Sequence, residues 1–167
     1  MLIRDRIVEL RRVKASQLTP NPKNWRKHPK AQADALRGVL AEVGYADALL
    51  ARQLPGGGLM LVDGHLRAET TPDAEVPVLV LDVTEAEADK ILLTLDPLAA
   101  MAEADADALS SLLAGFETDS EAVKKMLADL SDAGPGPIAP EDFAMVDENL
   151  SVNCRCPKCG YEWSDGK

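Results

Sequence analysis

Leu59-Met60-Leu61-Val62-Asp63-Gly64-His65-Leu66-Arg67-Ala68 is the stretch on which the fold turns. Its four leading apolar residues read as a buried strand. Asp63-Gly64 breaks the run, and His65 to Thr70 follow as a short helix. Gly64 has no side chain to obstruct a ligand at the bend. The free N–H groups that open a helix favour an anion. Arg67, one turn in, offers a planar fork that suits a phosphate. His65 adds a donor or proton carrier, and Asp63 a carboxylate for a metal or a hydroxyl. The turn is therefore a candidate phosphate site, with Gly64, His65 and Arg67 as binders and Asp63 and His65 as candidate catalytic groups. The same residues also fit an ordinary turn, in which Asp63 caps the helix and Arg67 is solvated.

Working outward, Ala48 to Leu54 reads as the strand before this one, joined to it by the turn Pro55-Gly56-Gly57-Gly58. Val76 to Leu81 is nearly all apolar, as a strand covered on both faces would be. Thr84-Glu85-Ala86-Glu87 is a capping box that opens a helix to about Leu95, with Ile91, Leu92 and Leu95 as its stripe. Upstream, Arg6 to Val13 alternates in part and predicts an edge strand. Thr19-Pro20-Asn21-Pro22 reads as irregular, because each proline restricts its predecessor. Pro29 opens a helix with the stripe Leu36, Val39, Leu40 and Val43, and Gly44 stops it. Glu42, near its end, reads as a solvated acid. The resulting order is strand, helix, strand, strand, helix, strand, helix. The fold class is α+β, a small mixed sheet flanked by helices.

Three stretches carry a resemblance to a known family: Leu18-Thr19-Pro20-Asn21-Pro22-Lys23-Asn24-Trp25-Arg26-Lys27-His28, Leu61-Val62-Asp63-Gly64-His65-Leu66-Arg67, and Val76-Pro77-Val78-Leu79-Val80-Leu81-Asp82 with the helix after it. Over about Ile7 to Asp96 the chain resembles the ParB/sulfiredoxin superfamily, specifically small ParB-like proteins of phages and mobile elements. Partition ParB proteins carry Gly-Glu-Arg-Arg where this chain has Gly64-His65-Leu66-Arg67, so the Gly-x-x-Arg phosphate grip is common to both. Sulfiredoxins carry a catalytic cysteine in that turn. The first cysteine here is Cys154, which excludes that chemistry. The resemblance implies ATP or CTP with Mg²⁺ as cofactor, DNA as a weakly bound partner, and a DNA methyltransferase or other phage protein as a neighbour. A homodimer is also to be considered; a membrane is not.

Charge is segregated along the chain. Residues 1–40 hold ten Lys/Arg against three Asp/Glu, a balance of +7, whereas the whole chain stands at -10. A basic end on an acidic chain suits a polyanion, and Lys23, Trp25, Arg26 and Lys27 are its candidate nucleic-acid contacts, the Trp25 ring either stacking on a base or anchoring the loop on the core. The alternative is neutralisation by the acidic half. Aromatics make up only 4% of residues, so the core must be aliphatic. The charged N-terminus and the lack of a long apolar run argue for a cytoplasmic protein.

The domain organisation expected is 1–96 for the ParB/sulfiredoxin-like unit, 97–132 for a helical extension, 133–153 for a linker and 154–167 for a Cys-rich tail. The extension holds two amphipathic helices, Asp105 to Leu113 and Ser120 to Leu130, the second opened by a capping box at Thr118-Asp119-Ser120-Glu121. Its stripe, from Leu109 to Leu130, should pack on the core or on a partner. Cys154, Cys156 and Cys159 lie in a Cys-Pro-x-Cys-Gly setting that resembles one knuckle of a zinc ribbon, a candidate Zn²⁺ site lacking its fourth ligand. Three functions compete: a nucleotide- or DNA-phosphate-binding accessory protein, a phosphoryl-transfer enzyme or nuclease using Asp63, His65 and Arg67, and a non-catalytic interaction adaptor.

Overall fold

Runs of leucine and valine suit a pleated sheet. In a computed structural model they form strands β1 (Ile7–Lys14), β2 (Leu18–Thr19), β3 (Leu49–Gln53), β4 (Leu59–Asp63) and β5 (Glu75–Leu81). The structure describes residues 3–132, 154–155, 157–159 and 162–163. The strands make one sheet in the order β1-β5-β3-β4-β2. β1 runs antiparallel to β5, β5 parallel to β3, β3 antiparallel to β4, and β4 parallel to β2. β1 is thus an edge strand, as its weak alternation predicts. β5 sits between two neighbours and is buried over Val76, Pro77, Val78, Val80 and Leu81, as its unbroken apolar run requires.

The helices are α1 (Lys30–Glu42), α2 (His65–Thr70), α3 (Glu85–Ala100), α4 (Ala106–Ala114) and α5 (Glu121–Asp132). Among the described residues none is long and apolar enough to cross a membrane. The architecture is mixed α+β. Leu49, Leu61, Val62, Val76, Val78, Val80 and Val123 are the largest fully buried side chains, an aliphatic core as the composition demands.

Several local expectations change. Leu18–Thr19 pairs with Leu59 and Met60, so Thr19, expected to be irregular, ends a short strand. Two residues are too few to show a period, and β4 supplies the missing partner. The stripe on α1 is displaced: Val39 and Val43 are 37% and 68% exposed, while Ala35 is buried. Gly38 explains this. A Cβ placed on it would stand 2.7 Å from the Ser120 Cβ and 2.8 Å from Val123 Cγ2. The helices meet at the residue with no side chain, so α5 comes close and Val123 is 1% exposed.

The capping box Thr84–Glu87 forms as read. α3 does not stop near Leu95; it continues through Pro97 to Ala100. Proline costs a helix interior one hydrogen bond, but Leu98, Ala99 and Ala100 are strong helix formers, and Met101 N–H closes the end on Pro97 and Leu98 carbonyls.

The box expected at Thr118–Glu121 is replaced by a remote cap. Glu42, from α1, accepts from the Thr118 hydroxyl at 2.6 Å and from the N–H groups of Asp119 and Ser120 at 3.0 and 3.1 Å. Ser120 in turn accepts from Val123 N–H at 3.4 Å. The Thr118 hydrogen bond, with the two backbone N–H groups, holds the Glu42 carboxyl below its ordinary range. Glu42, exposed as expected, is therefore also a clasp between α1 and the start of α5. Of the extension's stripe, Val123 is covered, whereas Leu112, Met126 and Leu130 are 72%, 44% and 47% exposed.

The chain divides into two units, Met1–Gly136 and Pro137–Lys167. In the second, β6 (Cys154–Arg155) pairs antiparallel with β7 (Glu162–Trp163). The expected linker 133–153 and Cys156 lie outside the described residues. Cys159 is a free, exposed thiol in the turn between the two strands.

Candidate functional site

The strand-to-helix turn forms where the sequence places it: β4 ends at Asp63 and α2 starts at His65. Gly64 is the N-cap, with φ 91° and ψ 20°, and no side chain caps the helix. Asp63 therefore does not cap α2. The demand for glycine has two sources. A positive φ disfavours any L side chain, and a Cβ here would lie 2.6 Å from Leu49 Cγ. What presses on Gly64 is a core leucine of β3, and the free side of the bend is left to the cleft.

That cleft has a volume of about 330 Å³, within the range of small-molecule sites. Asp63, Gly64, His65 and Arg67 line one side. Arg26 and Asp96, from the loop before α1 and from α3, line it as well. Sequence reasoning placed Arg26 in a basic loop that would supplement the turn; the fold brings Arg26 itself to the same hollow as Arg67. No local pattern announces that meeting, because it depends on how the Pro20–Pro29 loop lies over β4 and α3.

Every cation here is held by a carboxylate. Arg67 is 17% exposed; its Nη2 donates to Asp63 Oδ2 at 2.7 Å, and its Nη1 pairs with Asp47. Asp47, just before β3, was not singled out in the sequence, and nothing local links it to Arg67. Arg26 Nη1 meets Asp96 Oδ2 at 2.6 Å. The Nε of Arg26 is buried with no hydrogen-bond partner among the described residues. Such an unsatisfied donor is costly, and here it belongs to a cleft-lining guanidinium.

His65 is 6% exposed, and its Nε2 accepts the backbone N–H of Asn21 at 3.2 Å. The imidazole thus pins the Pro20–Pro22 loop over the sheet. Burial lowers its pKa, against the pull of the Asp63 and Glu69 carboxylates. The ring is neutral at pH 7 and acts as an acceptor.

The four predicted nucleic-acid contacts separate. Lys23 is bound to Asp89 and Glu85 of α3 at 2.7 and 2.8 Å, which raises its pKa. Arg26 belongs to the cleft, with its guanidinium carbon 5.0 Å from the Trp25 ring centroid. Trp25 is 54% exposed, and Lys27 is exposed beside it. Much of the basic excess of residues 1–40 is thus matched by acids of α3: Arg6 also forks onto Glu87 at 2.7 and 3.0 Å.

A larger hollow, about 870 Å³, lies between α4 and α5. It is lined by Glu42, Glu117 and Asp119 with the single cation Lys124, which makes it a poor place for a phosphate. Among the described residues no group of three or more His, Cys, Asp or Glu is arranged to hold a metal ion.

No family model matches the chain, and no curated protein matches it. Solved structures do. One is the C-terminally truncated chromosome-partitioning protein ParB from Caulobacter crescentus complexed with CTP-gamma-S, at 19% identity and a TM-score of 0.55, covering 71% of each chain. The same protein complexed to the centromeric parS site matches at 20% identity and a TM-score of 0.43, over 71% of this chain and 65% of that one. The strand-to-helix turn, the mixed sheet and the first of these likenesses agree: the chain has a ParB-like fold.

Proposed function

We propose that the cleft between Gly64, Arg67 and Arg26 binds the phosphates of a nucleotide, with CTP and ATP as the first candidates. The observation that carries this reading is the convergence of two partly buried guanidinium groups on one cleft, with the Arg26 Nε–H left without a partner among the described residues. A buried arginine is a planar, permanently charged fork suited to phosphate oxygens. The ParB neighbour's complex with CTP-gamma-S supports the choice of ligand. Asp63 and Asp96 are the oxygen donors available there to Mg²⁺.

Both carboxylates already engage the arginines, so a bare phosphate must displace them. Binding is therefore expected to be stronger with Mg²⁺ than without. The test is a thermal-shift series with CTP, ATP and GTP, each with and without Mg²⁺. Arg67→Ala should abolish the nucleotide-dependent rise in Tm. Asp47→Asn, which frees Arg67 Nη1, should tighten binding several-fold. No shift with any nucleotide, or an equal shift in Arg67→Ala, refutes the reading.

A second contact, with DNA, is favoured by Trp25 and Lys27, which stand exposed beside the Arg26 guanidinium. It is weak, because Lys23 and Arg26 are already paired. Its affinity should fall with salt at a slope of about one or two phosphate contacts. A protein of this kind would act in the cytoplasm as an accessory to DNA transactions of a phage or mobile element. The tail would be a separate Zn²⁺ site through Cys154, Cys156 and Cys159; the antiparallel pairing of β6 and β7 around the turn at 157–159 supports it.

A further inference from the structure

Among the described residues, β1 is bound to the sheet on one side only. A strand edge offers unpaired N–H and C=O groups to another strand. Natural edges are usually short or guarded. This one is eight residues long and carries Ile7, Val8 and Leu10 at 47%, 60% and 60% exposure. A register shift between Ile7 and Glu9 marks a bulge. Ile7 stands opposite Leu81 and Leu10 opposite Leu79, and cross-strand partners share a face. The bulge thus brings Ile7 to the same face as Leu10. Glu9 and Arg11, opposite Val80 and Val78, lie on the other face and form an ion pair.

We infer that β1 pairs antiparallel with β1 of a second copy, the two-fold axis passing through Leu10. Charge complementarity identifies the partner. In a continuous antiparallel sheet the two strands must keep their faces, so allowed registers differ by two residues. An axis through Glu9 sets two carboxylates against each other, and an axis through Arg11 sets two guanidinium groups against each other. The axis through Leu10 sets Leu10 on Leu10 and each Glu9 opposite the partner's Arg11. The sequence Glu9-Leu10-Arg11 is therefore self-complementary in one register and self-repelling in its two neighbours. The bulged end and Arg12 keep the pairing short, so the dimer is weak and concentration-dependent.

The test is sedimentation equilibrium of the full chain over a wide concentration range. The wild-type mass should rise towards twice the monomer value. Glu9→Arg and Arg11→Glu should each be monomeric, because each sets like charges across the axis. An equimolar mixture of these two variants should dimerise, and so should the double variant Glu9→Arg/Arg11→Glu. Leu10→Lys, at an exposed position that the fold does not need, should be monomeric; far-UV circular dichroism checks that every variant folds. A wild-type mass that stays monomeric throughout overturns the proposal. So does a dimer that the single charge reversals leave unchanged, or a mixture that stays monomeric. Nucleotide binding in the cleft plays no part in these outcomes.

Discussion

Gly64→Ala should destabilise the protein by more than any other glycine-to-alanine change at a positive φ. Gly44, Gly57 and Gly64 share that geometry, with φ of 82°, 88° and 91°. An alanine in the left-handed region costs roughly 1–2 kcal/mol at any of them. They differ in surroundings. A Cβ on Gly44 or Gly57 meets nothing within 4 Å, whereas on Gly64 it lies 2.6 Å from Leu49 Cγ and 3.2 Å from Leu49 Cβ. Leu49 is fully buried, so it cannot swing aside into solvent. Overpacking of this kind costs about 1–3 kcal/mol. Gly64→Ala should therefore cost about 2–5 kcal/mol and Gly57→Ala about 1–2 kcal/mol. For a chain of this size the corresponding falls in Tm are about 6–15 °C and about 3–6 °C. Urea unfolding followed by circular dichroism reads the difference. Leu49→Ala in the Gly64→Ala background should cost less than in wild type, because the new methyl group fills part of the space that leucine leaves. Equal losses for Gly64→Ala and Gly57→Ala would refute the close-approach argument and leave backbone strain as the sole demand for glycine.

Acidification should weaken the fold in two stages. His65 has a folded pKa below its ordinary 6.5, so its contribution is complete above that value and is lost as pH falls below it; His65→Gln should remove this stage from a stability–pH profile. Glu87, held at about 2 by Arg6, contributes fully above 4.5 and loses its contribution as pH falls from there to about 2, so Glu87→Gln should flatten the second stage. Glu42→Ala should loosen the start of α5: amide exchange at Asp119 and Ser120 should accelerate while β5 amides stay protected, and uniform acceleration would contradict the clasp. Protein purified under reducing, chelator-free conditions should carry zinc, and a Cys156→Ser variant should lose it; zinc-free wild type would sink the knuckle reading.

The sequence by itself determined the elements whose signals are local. An apolar run bounded by Asp63-Gly64 is enough to stop a strand and start a helix, and β4 and α2 meet there as read. Thr84 and Glu87 lie three residues apart, so their capping box is legible without any tertiary knowledge. Val76 to Leu81 could be read as a strand covered on both faces, because only such a strand tolerates so few polar residues.

Tertiary structure alone decided the contacts between distant segments. Periodicity pointed α1 towards Val39 and Val43, but the closest packing was available at Gly38, where two helix backbones approach. Glu42 could be read as an exposed acid but not as a clasp, because its partners, Thr118 to Ser120, come from the segment before α5. Arg67 looked free to take a phosphate; in the fold it is held by Asp63, one turn away, and by Asp47, which no local pattern connects to it. Arg26 belongs with Arg67 and not with Lys23, because the loop carrying it is laid across the turn and pinned by the imidazole of His65. A sequence exposes residue type and spacing. Which charge faces which depends on how the chain closes, and in this protein that decides the composition of the candidate site.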